Sequence, residues 1–178
     1  DFIVVDGSEG GTGAAPVVDG RLDDAAWAIA PVARDFVQFE PSEGASASQP
    51  TEARVLYDDE ALYVALRAWD SAPDSIVGQL TRRDVSSSSD HLGVLVDSFD
   101  DNRTAFFFRV NPVGVKSDIY YYQDNREDDR WDAVWDVATE VDAEGWTAEF
   151  RIPLSQLRFS GRARQDWGIN FARDIQRH

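Results

Sequence analysis

Two histidines, His91 and His178, supply all the imidazole in this chain. A Ser-His-Asp triad would have to use one of them. No Gly-x-Ser-x-Gly elbow is present to raise a serine nucleophile. His91 follows Asp90 directly and reads more simply as a strand-edge residue. There is no Cys, so a zinc site built from several His or Cys ligands is excluded by count. Carboxylates, by contrast, number 33, and a glycosidase pair can be drawn on paper. With so many acids such pairs arise by chance, and the sequence does not argue for an enzyme.

Calcium chemistry fits the acids better. The ion takes six to eight oxygens, often from Asp, Asn and backbone carbonyls gathered in turns. Three clusters have that character: Asp58-Asp59-Glu60, Asp97 with Asp100-Asp101-Asn102, and Asp124-Asn125 with Glu127-Asp128-Asp129. The candidate ligands are therefore Asp58, Asp59, Asp97, Asp100, Asp101, Asp124 and Asp128. None of the clusters matches the EF-hand loop, and each taken singly reads more simply as a solvated acidic turn.

Aromatic side chains offer a third chemistry. Pyranose C–H faces pack on rings while nearby polar groups bond the hydroxyls. Tyr120-Tyr121-Tyr122 is the unusual run. In a strand, neighbours face opposite ways, so Tyr120 and Tyr122 point together and Tyr121 points away. With Trp131 following the acidic loop and Arg82 among the few basic groupings, the candidate carbohydrate-binding residues are Tyr120, Tyr122, Trp131 and Arg82. The plainer reading puts Trp131 and Trp135 in the core. Trp27, Trp69, Trp146 and Trp167 also read as mainly core.

The elements that would position these residues are mostly strands. Asp23 or Asp24 is placed to cap a short helix over 25–30, with Trp27 on its buried side. After Pro31 the pattern turns β. Residues 51–57 and 61–69 form a hairpin around Asp58-Asp59-Glu60, with Leu62, Val64, Leu66 and Ala68 on one face. Residues 92–96 make another strand. Residues 104–110 and 115–122 make a second hairpin around Asn111-Pro112-Val113-Gly114. Residues 134–141 and 146–152 make a third. Pro153 opens one helical turn over 154–157, and 167–175 is the last strand. Short strands with regular turn signals and no βαβ rhythm predict an all-β protein, an antiparallel β-sandwich of jelly-roll or immunoglobulin-like architecture with one or two short helices. Phe2-Ile3-Val4-Val5 is a separate strand candidate. The Gly-rich stretch after it reads as a tether, so the expected division is a strand and tether over 1–16 and a sandwich over 17–178.

Composition narrows the partners. A chain of 178 residues, 43 % hydrophobic, suffices for one well-packed domain. Its net charge of −16 makes nucleic acid a poor partner, because phosphate binding needs a cationic face. No apolar run approaches the roughly 20 residues that span a bilayer. Only Lys116 is a lysine; the other basic residues are arginines.

Four ordered segments resemble a known family. They are Val18-Asp19-Gly20-Arg21-Leu22-Asp23-Asp24-Ala25-Ala26-Trp27, then Val55 to Ala65 ending near Trp69-Asp70, then Ser89-Asp90-His91-Leu92-Gly93-Val94-Leu95-Val96-Asp97, and Gly145 to Pro153 followed by Trp167-Gly168-Ile169-Asn170-Phe171. Together they look like a family 9 carbohydrate-binding module from about Val17 to the end. Three further segments, at 79–84, 108–114 and 131–136, resemble the N-terminal modules of bacterial outer-membrane proteins of unknown function. The resemblance implies a β-sandwich, a glycan or polysaccharide ligand, structural calcium, and an extracellular or outer-membrane setting. It also implies a sugar clamp of two tryptophans. This chain departs there, having Ser86-Ser87-Ser88-Ser89 where one would lie and ending before the strand that carries the other.

Two functions follow. The first is non-catalytic glycan binding, stabilised by calcium. The second is a structural module in which Phe2–Val5 adds to the open sheet edge of a neighbouring copy, so that chains polymerise into fibres. A haem-binding relative is disfavoured by the absence of Met and the scarcity of His and Lys.

Overall fold

The computed structural model describes residues 14–123, 126–162 and 164–177. Among these it has helix α1 (Ala25–Ile29) and strands β1 (Val32–Ala33), β2 (Thr51–Tyr57), β3 (Ala61–Trp69), β4 (His91–Asp97), β5 (Ala105–Val110), β6 (Lys116–Tyr122), β7 (Arg126–Asp128), β8 (Asp136–Asp142), β9 (Gly145–Pro153) and β10 (Gly168–Asp174). They form two antiparallel sheets of five strands, ordered β1-β2-β3-β9-β8 and β10-β4-β5-β6-β7. This is the expected all-β sandwich. No helix among the described residues is long and apolar enough to cross a membrane.

The hairpins close for local reasons. Asp58 ends the first turn, its Oδ1 accepting the N–H groups of Glu60 and Ala61, both at 2.8 Å. The β5–β6 turn is held by Asn111, whose side-chain oxygen accepts the N–H groups of Val113 and Val115. Gly114 takes φ +82° there, a conformation that L side chains adopt only with strain. Asp142 closes the β8–β9 turn by accepting the Glu144 N–H at 2.8 Å.

The core lies between the sheets. Leu62, Val64, Leu66 and Ala68 of β3 and Trp146, Ala148, Phe150 and Ile152 of β9 meet Leu92, Val94 and Val96 of β4 and Phe106, Phe108 and Val110 of β5. Trp135 fills one side, stacked on Phe150 with ring centroids 5.7 Å apart. Truncating a buried side chain such as Leu66 to Ala would cost about 2–5 kcal/mol.

The outer face of the β3–β9 sheet is covered as well. Trp27 and Ala30 sit on Ala61, Tyr63 and Ala65 in a second apolar cluster. β3 is therefore buried on both faces from Ala61 to Ala68, which is why its alternation does not show in burial. Glu149 of β9 fixes this cover. Its Oε2 accepts the N–H groups of Asp19 and Gly20 at 3.0 and 2.7 Å, and its Oε1 accepts the Trp27 indole N–H at 2.6 Å.

Three details depart from expectation. Asp24 stands at the N-cap of α1, yet its carboxylate accepts the Val17 N–H at 2.8 Å rather than capping the helix. β8 begins at Asp136, not 134. The Val134 N–H donates to Gln156 Oε1, and the Trp135 carbonyl accepts from Lys116 Nζ, so neither group joins the ladder. β1 and β7 were not foreseen: one has two residues, and the other, Arg-Glu-Asp, carries no apolar alternation.

Candidate functional site

Among the described residues the outer face of the β10-β4-β5-β6-β7 sheet carries no such cover, and the register lays out what it presents. One row across the sheet runs Asn170, Leu95, Phe107, Ile119. The next row on one side runs Ala172, Gly93, Arg109, Ser117. On the other side Tyr121 faces outward between Ala105 and Glu127. Leu95, Phe107, Ile119 and Tyr121 are only half-buried, and Asn170 is exposed. The Phe107 and Tyr121 rings lie 6.4 Å apart at 47°. Phe107 lies down over Gly93, so closely that a Cβ there would meet its ring at 2.7 Å. The result is a low apolar and aromatic stripe across an open sheet.

Polar groups border the stripe at both ends. At one end Arg109 donates from Nε to Ser117 Oγ at 3.1 Å, and its Nη1 stands 3.9 Å from Asp174. His91 is paired with Asp174 in register, its Nδ1 3.9 Å from the carboxylate. Burial, and then the neighbouring Arg109 charge, push the His91 pKa down to about 4, so the ring is neutral at ordinary pH. At the other end a cleft of about 360 Å³ is lined by Tyr121, Asn170, Asn102, Arg103 and Asp97, among others. Burial and the Glu127 carboxylate raise the Tyr121 pKa above 10.0, so its phenol stays a hydrogen-bond donor. An aromatic floor with amide, guanidinium and hydroxyl groups at its rim can hold a polyhydroxylated ligand by ring–C–H packing and directed hydrogen bonds.

The residues singled out from sequence fall elsewhere. The alternation within Tyr120-Tyr121-Tyr122 is as expected, but Tyr120 and Tyr122 point to the inner side of the sheet. Tyr120 stacks on Phe106 at 5.1 Å and on Tyr122 at 6.0 Å, and Trp131 packs 4.9 Å from Phe106. Tyr120 and Trp131 thus close the open side of the core, with their edges half-buried. Arg82 is exposed, beside Arg83. The sequence reading did not single out Phe107, Arg109 or Asn170, which the register places on the outer face with Tyr121. Strand phase alone assigns Phe107 to the face opposite Phe106 and Phe108, and that signal was available.

The acidic clusters divide in the same way. Asp97 is buried, and its two oxygens accept the N–H groups of Phe99 and Asn102 at 3.1 and 2.7 Å. Asp101 Oδ1 takes the N–H groups of Arg103 and Thr104, both at 2.8 Å. Asp58 closes its turn and accepts the Tyr63 hydroxyl at 3.0 Å, and Asp128 accepts the Arg130 N–H. Asp59 and Asp100 are exposed. Asp124 lies outside the described residues, as does Phe2–Val5. None of the expected clusters gathers three carboxylates among the described residues. The trio that does lie within 4.8 Å is Asp84, Asp118 and Asp132. Arg83 sits among them, bonded to Asp118 and 2.7 Å from Asp132 and 3.4 Å from Asp84. A guanidinium already neutralises that trio.

The comparisons with known proteins agree with this fold. The family described as carbohydrate family 9 binding domain-like matches residues 18–174. A family 9 carbohydrate-binding module from Caldicellulosiruptor kristjanssonii, solved in complex with glucose, superposes with a TM-score of 0.61 at 19 % identity, covering 89 % of this chain and 73 % of that one. The same source's module in complex with cellotriose gives 0.61 at 19 % identity, covering 89 % and 71 %. A candidate carbohydrate-binding protein from Bacteroides uniformis gives 0.62 at 11 % identity, covering 83 % and 72 %. Among curated protein sequences nothing matches.

Proposed function

We propose, from the premise that this chain belongs to the carbohydrate family 9 binding domain-like family, that it is a non-catalytic carbohydrate-binding module whose sugar platform is the outer face of the β10-β4-β5-β6-β7 sheet. The observation that carries the reading is the half-buried stripe of Leu95, Phe107 and Ile119 with Tyr121 beside it, left uncovered among the described residues, whereas Trp27 and Ala30 cover the β3 centre of the other sheet. The C–H face of a pyranose packs on Phe107 and Tyr121. Asn170 and Asn102 offer amide donors and acceptors, and Arg109 offers donors at the far end. The glucose and cellotriose complexes of the Caldicellulosiruptor modules support the ligand class. The chain's net charge of −16 favours neutral over polyanionic glycans. The module works at the cell surface or in the secreted space, as the sequence resemblance implies.

A second reading uses the half-buried edges of Tyr122 and Trp131, which also reach the surface. One experiment separates the two. A glycan array identifies the saccharide class, and isothermal titration with cellotriose as probe compares the native chain with Tyr121→Ala and Tyr122→Ala. The outer-face reading expects Tyr121→Ala to weaken binding some thirtyfold and Tyr122→Ala to change it by less than about threefold. The reverse pattern transfers the site to the inner rim, and a blank array removes the carbohydrate reading.

A further inference from the structure

Beside the tyrosine of the platform stands a carboxylate with no countercharge. β7 pairs antiparallel with β6 and sets Glu127 directly opposite Tyr121. Residues paired in this way share a face, with Cβ atoms about 5 Å apart. Glu127 therefore stands on the outer face, at the edge of the aromatic stripe. Its strand neighbours Arg126 and Asp128 pair with Tyr122 and Tyr120 and take the other face. Glu127 is exposed, and among the described residues no arginine or lysine closes an ion pair with it.

The other charges of this face are engaged differently. Asp174 stands 3.9 Å from both Arg109 Nη1 and His91 Nδ1. Both Asp97 oxygens accept backbone N–H groups. Arg109 Nε is bonded to Ser117 Oγ, and Arg103 lines the cleft. At the Tyr121 phenol the Glu127 charge outweighs that of Arg109, raising the pKa more than the guanidinium lowers it.

A ring with an unpaired carboxylate at its edge suits an ammonium group. The cation is drawn to the π face, within about 6 Å of the ring centre, and to the carboxylate through charge-assisted hydrogen bonds. A hydroxyl in the same place takes a hydrogen bond alone. The Phe107 ring, 6.4 Å from that of Tyr121, supplies the apolar surface on which a pyranose seats its C–H face. We infer, on the premise that the outer face is the sugar platform, that its preferred ligand is an amino glycan, a chain of hexosamine units with free, protonated amines, and that Glu127 is the residue that selects it. The chain's net charge of −16 works in the same direction.

Titration calorimetry with three probes of one β-1,4-linked backbone tests this. Cellotriose carries a hydroxyl at C2, the glucosamine trimer an ammonium, and the acetylated glucosamine trimer an amide. The native chain should bind the glucosamine trimer on the order of tenfold more tightly than cellotriose, and the acetylated trimer no more tightly than cellotriose. Glu127→Gln should bring the ratio of the first two affinities to within about twofold of unity. Glu43→Gln, the same charge change on the exposed loop before β2, should leave it near tenfold. Both variants should melt with the native chain, since both positions are exposed. A native ratio near unity overturns the inference, while cellotriose binding that still weakens in Tyr121→Ala leaves the platform standing. A tenfold ratio that survives Glu127→Gln also overturns it and assigns the preference to the charge of the whole chain. No binding of any trimer, or affinities untouched by Tyr121→Ala, overturns the platform and the inference with it.

Discussion

The two sheets of this sandwich expose their outer faces to opposite fates. Residues 16–30 roof the β3–β9 face, where Ala61 and Ala65 leave room for Trp27 and a buried carboxylate, Glu149, anchors the incoming backbone. The β4–β5 face has no roof among the described residues. It still carries Leu95, Phe107, Ile119 and Tyr121 where an antiparallel sheet turned to water ordinarily carries polar side chains. An apolar face with a built cover is architecture. An apolar face without one, rimmed by amide and guanidinium groups, is a surface kept for something else.

The contrast can be broken from either side. Glu149→Ala strands three donors in a buried place and should have the largest effect, lowering stability by roughly 3 kcal/mol. Thermal melting reads that loss, and cellotriose affinity measured below the melting transition should be unchanged. Tyr121→Ala should do the opposite, costing about 2 kcal/mol of binding, or some thirtyfold in Kd, with little change in melting temperature. If both variants lose stability and affinity together, the division of labour between the faces is wrong.

His91 gives the comparison a pH axis. Its folded-state pKa lies near 4, below the ordinary 6.5, because burial and Arg109 disfavour the charged ring. A depressed pKa contributes stability that is fully present above 6.5 and is lost as pH falls toward 4, while the unfolded chain takes up the proton. The native protein should lose on the order of 1–3 kcal/mol across that window, and His91→Gln should flatten the pH dependence of its melting temperature there. Identical pH profiles would remove His91 from the account.

Gly93→Ala makes a finer probe. The added methyl meets the Phe107 ring at 2.7 Å and the Phe108 carbonyl at 3.1 Å, so the ring must lift. Affinity should fall several-fold, by about 1 kcal/mol, as titration calorimetry would show. The smallest effect belongs to Tyr122→Ala. On the inner side of β6 it should change affinity by less than about threefold, and a larger loss would favour the rim over the platform.

Much of the fold was legible in the sequence because its signals are local. The Asp58, Asn111 and Asp142 turns announce their hairpins, and the alternation through Leu62, Val64, Leu66 and Ala68 names the inner face of β3. The start of β8 was not legible, because Lys116 and Gln156 compete for the Trp135 and Val134 backbone across long sequence separations. Aromatic clustering alone did not tell which face each ring takes. Tyr120, Tyr122 and Trp131 stand out as a dense group, yet much of their surface is occupied by Phe106 and by one another. Phe107 looks ordinary in Ala-Phe-Phe-Phe-Arg-Val until the register shows which face it takes. Asp97 and Asp101 resemble ion ligands by spacing, but their oxygens hold the backbone of their own loop.

The most direct test of the central claim is a backbone-amide chemical-shift titration of the isotopically labelled chain with cellotriose and with the best saccharide from the array. The account predicts saturating shifts concentrated in β4, β5, β6 and β10, at the outward positions 93, 95, 107, 109, 119, 121 and 170 and their neighbours, with residues 16–30 and β9 silent. Shifts centred on residues 16–30, on β8 and β9, or on Trp131 and Tyr122, or no shifts with any saccharide, would contradict it.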